Sequence, residues 1–203
     1  MYIIGLTGNI ATGKTTVCNI LTKLGAQIID ADLLVHRLLA KGRLVYHQVV
    51  AAFGTEILNE SGEIDRPRLG RLVFSSPDAL RVLEAITHPA VDTLVEQEIA
   101  SATAEVVVVD AVKLLESGIS KRCNAVWVVI APQEQQFERL TQRRGMTEAD
   151  AWQRIHAQAP QAEKVRQADV VIDNSGSVEG TEAQVRHAWA LIPLQDKGTT
   201  TER

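Results

Sequence analysis

Five short apolar runs punctuate the chain, at residues 2–7, 26–30, 105–110, 125–130 and 169–172, and the stretches between them follow a helical rhythm. Val106-Val107-Val108-Val109 and Val126-Trp127-Val128-Val129-Ile130 are apolar at every position, so both faces of such strands must be covered. After the first run, Val17, Ile20, Leu21 and Leu24 recur on one helical face. Strands alternating with helices predict a doubly wound α/β fold around a parallel five-stranded sheet. The interval 33–104 is longer than a crossover requires and predicts a helical lobe beside the sheet, broken at the polar turn Asn59-Glu60-Ser61-Gly62-Glu63. Residues 139–167 read as a helix, a turn at Gly145 and a second helix that starts at Thr147, the arrangement of a movable lid. The whole of 1–203 fits one domain, and 195–203, without an apolar anchor, is expected to fray.

Between the first strand and the first helix lies Gly8-Asn9-Ile10-Ala11-Thr12-Gly13-Lys14-Thr15, which matches G-x-x-x-x-G-K-[ST] at every fixed position. Strand, glycine-bounded loop and helix together make a phosphate cradle of the P-loop type. Its backbone N–H groups and the positive end of the helix, through Thr16, are expected to surround a nucleotide's β-phosphate. Lys14 is placed to reach the β- and γ-phosphates, and the Thr15 hydroxyl to ligate magnesium. The pattern implies a site for a nucleoside triphosphate.

Composition narrows the setting. A net charge of −4 gives no electrostatic footprint for nucleic acid. No apolar run approaches the ~20 residues that span a bilayer, and a strand stands where a charged leader would begin. Cys18 and Cys123 form no C-x-x-C pair, and Cys18 sits in an apolar helix as a buried free thiol. These features predict a cytoplasmic enzyme with no obligate protein partner.

Phosphoryl transfer requires a metal, an acceptor held in line, and cations for the moving charge. Ile28-Ile29-Asp30-Ala31-Asp32 ends the second run with two carboxylates at the edge where a parallel sheet binds ligands. Asp32 is suited to take a proton from an acceptor hydroxyl or to hold a magnesium-bound water, and Asp110 ends the third run as the other candidate. Asp30 suits either this role or the capping of the next helix. Arg139 and Arg143, spaced i, i+4, are expected on one helical face above the phosphates. Arg144, Lys164 and Arg166 read as a solvated charged face.

In this order the motifs resemble those of the dephospho-CoA kinase family. The resemblance rests on GLTGNIATGKTTV at 5–17, LGAQIIDAD at 24–32, FGTEIL at 53–58, GEIDRPRL at 62–69 and His88-Pro89. It continues in QRRGMT at 142–147, Gln158 and ADVVIDNSGS at 168–177, and so covers nearly the whole chain. It implies ATP and magnesium, dephospho-CoA as acceptor, and Asp32 as the base on the ribose 3′-hydroxyl. It also implies Arg66 and His88 in the acceptor lobe, Arg139 and Arg143 in the lid, and Asn174 at the adenine. From the residues alone, His88 equally reads as a helix end set by Pro89, and Asn174 as a turn residue before Gly176. Other small-molecule or nucleoside monophosphate kinases share the loop, as do nucleotide-dependent switches, although no [NT]-K-x-D base-reading motif occurs.

Two departures stand out. The family's GGIGSGK is GNIATGK here, which puts Ala11 where left-handed backbone is not freely adopted. Its D-x-P-L-L-x-E is Asp110-Ala111-Val112-Lys113-Leu114-Leu115-Glu116, keeping Leu114 and Glu116 as acceptor-side candidates but gaining Lys113. Lys113 either points into the acceptor crevice or is solvated.

Overall fold

The structure is a computed structural model and describes residues 1–194; the tail at 195–203 lies outside the described residues. The strands are β1 (Tyr2–Thr7), β2 (Gln27–Asp30), β3 (Val106–Asp110), β4 (Ala125–Ile130) and β5 (Val170–Asp173). The helices are α1 (Lys14–Lys23), α2 (Ala31–Leu38), α3 (Leu44–Phe53), α4 (Arg66–Phe74), α5 (Pro77–Ser101), α6 (Gln133–Glu138), α7 (Glu148–His156), α8 (Gln161–Val165) and α9 (Val178–Ala190). The strands form one sheet in the order β2-β3-β1-β4-β5, every pair parallel. The apolar runs thus mark all five to within one residue at each end. Because β1 has β3 on one side and β4 on the other, the loop after it opens at the switch point, where a doubly wound sheet binds its ligand.

Alternate side chains explain the unbroken valines. Val106 and Val108 of β3 join Ile4, Leu6, Trp127 and Ile172 against α1 and α9. Val107 and Val109 point the other way and pack with Ile29, Leu34 of α2, and Val91 and Val95 of α5. A third, smaller core of Val45, Val49, Ile57, Leu69 and Val73 holds the helical lobe. The polar turn expected there forms: Asn59 Oδ1 accepts from the N–H groups of Ser61 and Glu63, and Leu58 bridges Ile64. No helix among the described residues is long and apolar enough to cross a membrane.

Helix α5 joins lobe to sheet and runs 25 residues straight through His88 and Pro89. The proline therefore does not end the helix, contrary to the local preference of the residue before it. A proline inside a helix costs about 3 kcal/mol. Two anchors offset that cost: Leu80, Leu83 and Ile86 pack in the lobe core before it, and Val91 and Val95 in the sheet core after it. At the far end of the chain order, α6 runs into a π-helical turn at Arg139–Arg143. Gly145, at φ 64, then reverses the chain, and Thr147 caps α7 by accepting from the N–H of Asp150 at 3.2 Å.

Gly5 stands within β1 where the space for a side chain is already taken by the core. A Cβ there would lie 2.6 Å from Leu114 Cδ2 and 2.8 Å from Cys123 Sγ, and Leu114 is fully buried. Overpacking a closed core typically costs about 1–3 kcal/mol. Gly5→Ala is expected to lose stability in that range, read as a lower urea midpoint at unchanged m-value. A midpoint equal to the parent's would show that Leu114 and Cys123 yield freely.

Candidate active site

The loop between β1 and α1 is shaped by donors that reach its carbonyl groups from outside. Thr12 O accepts from Asn174 Nδ2 at 2.8 Å and from Arg139 Nη1 at 2.9 Å, and Ala11 O accepts from Arg139 Nη1 at 3.1 Å. The C=O and N–H of one planar peptide unit point in opposite directions, so holding the Thr12 carbonyl outward turns the N–H of Gly13 inward. Gly13 itself sits at φ 99, and a Cβ there would collide with Asn174. It caps α1 without a side-chain hydrogen bond. The first N–H groups of α1, at Lys14 and Thr15, are those a helix start leaves for a ligand, and they make an anion site with the helix dipole. Ala11 pays for the departure from the family pattern: at φ 58 it is left-handed, the one non-glycine residue with positive φ among the described residues. Asn9 is not.

Carboxylates gather opposite the loop. Asp30 turns out to be the N-cap of α2, its Oδ1 accepting from Leu33 N–H at 2.8 Å. Asp32 follows in the first turn of α2, where it feels the charges of Lys14, Asp30 and His36. Part of its side chain is solvent-exposed, yet withdrawal from water still lifts its carboxyl above the usual range; Lys14 opposes the shift and Asp30 adds to it. Asp110, at the end of β3, has Oδ1 3.6 Å from Lys14 Nζ and Oδ2 3.6 Å from the Cys18 thiol. Burial raises its carboxyl too, with Lys14 again opposing. Its Oδ1 is buried without a hydrogen-bond partner among the described residues. Burial, then Asp110, drives the Cys18 thiol far up, so it remains the protonated, buried thiol expected of it.

A cavity of about 250 Å³ adjoins these groups on the lobe side, lined by His36, Leu39, Lys41, Glu63 and Arg66. His36 is lowered first by burial and then by Arg66, which places that arginine within electrostatic reach of the α2 carboxylates' neighbour. Lys14, Asp30, Asp32 and Asp110 therefore converge, with Arg66 beside them through His36. His88 is half-buried on α5, one turn from Glu84.

Several side chains take other roles than the sequence suggests. Leu114 lies wholly in the core behind β1 rather than on a crevice wall. Lys113 is exposed and pairs with Glu84 of α5. Asn174 is buried, its Nδ2 on the loop and its Oδ1 accepting from Thr181 Oγ1 at 2.8 Å, so both polar ends are committed. Arg139 is committed as well, with Nη2 on Asn174 O at 2.7 Å and on Gln135 Oε1 at 3.2 Å. It clamps the loop, and burial, with Arg143 second, lowers its affinity for a proton. Arg143 remains exposed.

Lys164 is the largest surprise. Read from sequence as part of a solvated face, it is 5% exposed, with Nζ 2.9 Å from Val112 O and 3.4 Å from Glu116 Oε1. Helix α8 has only five residues, too few to show a periodicity that would have marked the position as inward-facing. The rest of this arm is tied down too. Gln158 Oε1 accepts from Ile10 N–H at 2.7 Å, and Ala159 O from Asn9 Nδ2 at 3.1 Å. Above it, Leu140, Ala151 and Ile155 pack with Ile10, Ala11 and Phe137, and Phe137 stacks on Trp152 at 4.8 Å.

Left-handed geometry costs an L-residue roughly 1–2 kcal/mol, while the Ala11 methyl contributes at most about 0.8 kcal/mol against the lid cluster. Ala11→Gly is expected to raise the denaturant midpoint slightly; a fall would show that the methyl contact outweighs the backbone strain. A raised carboxyl costs stability wherever it is ionised in the fold: the cost is full above the raised value and vanishes as pH falls to the unfolded range. Asp110→Asn should therefore raise the melting temperature at about pH 8 and lose that gain toward about pH 4. A gain that grows on acidification would contradict this electrostatic reading.

Comparison with known proteins agrees with the geometry. The family model CoaE, dephospho-CoA kinase, matches residues 2–180. A dephospho-CoA kinase from Geobacter metallireducens is 49% identical over 192 residues, 93% of this chain and 96% of that protein. The crystal structure of TT1252 from Thermus thermophilus superposes with a TM-score of 0.82 at 34% identity, covering 94% of this chain and 97% of the other. Dephospho-CoA kinase from Campylobacter jejuni gives 0.66 at 27% identity, over 93% and 95% of the two chains. A match of this length takes in the phosphate loop, the IDAD carboxylates, the lobe and the arm that crosses the loop. The chain belongs to the dephospho-CoA kinase family.

Proposed function

We propose that this enzyme transfers the γ-phosphoryl group of ATP to the ribose 3′-hydroxyl of dephospho-CoA, giving coenzyme A and ADP, the last step of coenzyme A synthesis. The observation that carries the reading is the gathering of carboxylates about the phosphate-loop lysine, Asp110 at 3.6 Å from Lys14 Nζ and Asp32 within electrostatic reach of it. The loop N–H groups and Lys14 bind the β- and γ-phosphates. The helical lobe receives the acceptor, with Arg66 and His88 on its side. Asp32 orients the 3′-hydroxyl and takes its proton as the new O–P bond forms and the bond from the γ-phosphorus to the bridging oxygen breaks. Lys14 and Arg143 then face the charge that moves onto the leaving ADP. Arg139 contributes by holding the loop in its phosphate-binding shape. We further infer a cytoplasmic location, supported by two unpaired thiols, one of them buried.

Magnesium fits this site. Thr15 is exposed at the start of α1, and the buried Asp110 Oδ1, ion-paired with Lys14 but without a hydrogen-bond partner among the described residues, lies beside the cradle, suited to orient a metal-bound water. Among the described residues no cluster of three His, Cys, Asp or Glu side chains forms a cage. That matches an ion held mainly by phosphates and water, as magnesium is in such kinases. Thr15 would hold it, and when bound it would supply neutralising charge between the β- and γ-phosphates.

Incubation with ATP and magnesium should shift the mass of dephospho-CoA by one phosphate and leave nucleoside monophosphates and shikimate unchanged. Lys14→Ala should abolish that transfer in a folded protein. A positioned general base contributes about 10²–10⁴-fold, so Asp32→Asn should lower kcat by that order with little change in ATP affinity. A crippled Asp110→Asn beside a nearly normal Asp32→Asn would reverse the roles.

A further inference from the structure

We propose that Gln158 is a positioning residue for the phosphate loop, holding the Asn9–Ile10 peptide so that the loop keeps its phosphate-binding shape; the inference rests on the nucleotide reading above. That one peptide unit is gripped at both ends. Its N–H, on Ile10, donates to Gln158 Oε1 at 2.7 Å, at the short end of the normal range. Its C=O, on Asn9, accepts from Thr12 Oγ1 at 2.9 Å and from the Thr12 N–H at 3.3 Å, which fills both lone pairs. The N–H and C=O of a planar peptide point in opposite directions, so Gln158 and Thr12 fix its plane from opposite sides.

Thr12 carries the constraint onward. It is fully buried, and its own carbonyl is the one that Asn174 and Arg139 hold outward. The contacts therefore run from Gln158 through the Asn9–Ile10 peptide to Thr12, and from Thr12 to the N–H of Gly13. Arg139 and Asn174 fix the second half of the loop, and Gln158 fixes the first. The segment behind Gln158 is firmly seated. Ile155 belongs to the buried cluster against which Ile10 and Ala11 pack, and the Gln158 N–H donates to its carbonyl at 3.3 Å. Further on, Gln161 Oε1 accepts from the Ala131 N–H at 3.2 Å, and Lys164 Nζ donates to Val112 O at 2.9 Å. Asn9 adds a second tie beside the first, its Nδ2 donating to Ala159 O at 3.1 Å. That tie needs the side chain that stands where the family pattern has glycine.

A loop that has lost one of its holders should weaken every ligand it grips by phosphate alone. Gln158→Met keeps the length of the side chain and removes the acceptor. It is expected to raise the dissociation constants of ATP, ADP and inorganic tripolyphosphate, each titrated with magnesium, by a common factor of about 3–10-fold, the worth of one hydrogen bond. The KM for dephospho-CoA should stay within about twofold of the parent. Tripolyphosphate has no base or ribose, so a loss shared by all three ligands comes through the phosphate site. A loss confined to ATP would put Gln158 at the γ-phosphate, and one that spares tripolyphosphate would put it at the adenosine. Unchanged constants would leave it a structural tie. Each of these results overturns the proposal. Should Gln158→Met not fold, Gln158→Leu is titrated in the same way. A parent protein that binds none of the three ligands refutes the phosphate site itself, independently of Gln158.

Discussion

The Thr12 carbonyl oxygen, held by Asn174 from the end of β5 and by Arg139 from the π-helical turn, is the contact on which the site depends. A phosphate loop is a strained piece of backbone that must present N–H groups to a highly charged ligand. Left alone, its carbonyls would compete for the same space. Two buried or half-buried donors remove that competition before any ligand arrives, one of them charged, and charge-assisted bonds are the stronger kind. The same two residues tie two separate parts of the chain to the loop and to each other, since Arg139 also holds the Asn174 carbonyl. Preorganisation of the cradle is therefore a property of the whole carboxyl edge of the sheet, not of the glycine-rich segment alone.

Opposite the cradle the chain accepts an electrostatic cost. Asp110 is drawn out of water and Asp32 is partly withdrawn from it, and both are raised by burial more than Lys14 lowers them. A lone lysine among Asp30, Asp32 and Asp110 leaves this corner short of positive charge, which is the condition for holding a further cation between carboxylates and phosphates. Stability and chemistry pull in opposite directions here, as they commonly do where function needs groups that folding would rather not bury. The sheet beneath, with valines packed on both faces, supplies the surplus that makes the arrangement tolerable.

The departures from the family pattern are absorbed rather than disruptive. Ala11 adopts the left-handed geometry that glycine would take there, while its methyl packs with the lid cluster of Leu140, Ala151 and Ile155. Lys113, standing where the family has leucine, finds Glu84 on α5 and so becomes a tie between the segment after β3 and the lobe. Glu116 meets Lys164 from the arm on the other side. The altered segment is thus held at both ends by ion pairs, with Leu114 buried between them.

What sequence alone determined is whatever depends on neighbours along the chain. Solid apolar runs located the strands because a two-sided core demands them, and glycine and lysine spacing located the cradle because backbone N–H geometry does. The lid cap at Thr147 and the turn at Asn59 were legible because their hydrogen bonds close within four residues. Tertiary structure decided everything whose partner lies far away. Pro89 stayed helical because two distant cores hold the helix on either side of it. Arg139, Asn174 and Lys164 carry ordinary surface residue types. Their roles come from carbonyls 35 to 162 positions away, at Thr12, Asn174 and Val112, which no local pattern encodes. A side chain's chemistry is written in the sequence, but which orphaned carbonyl it must satisfy is settled only when the chain has folded.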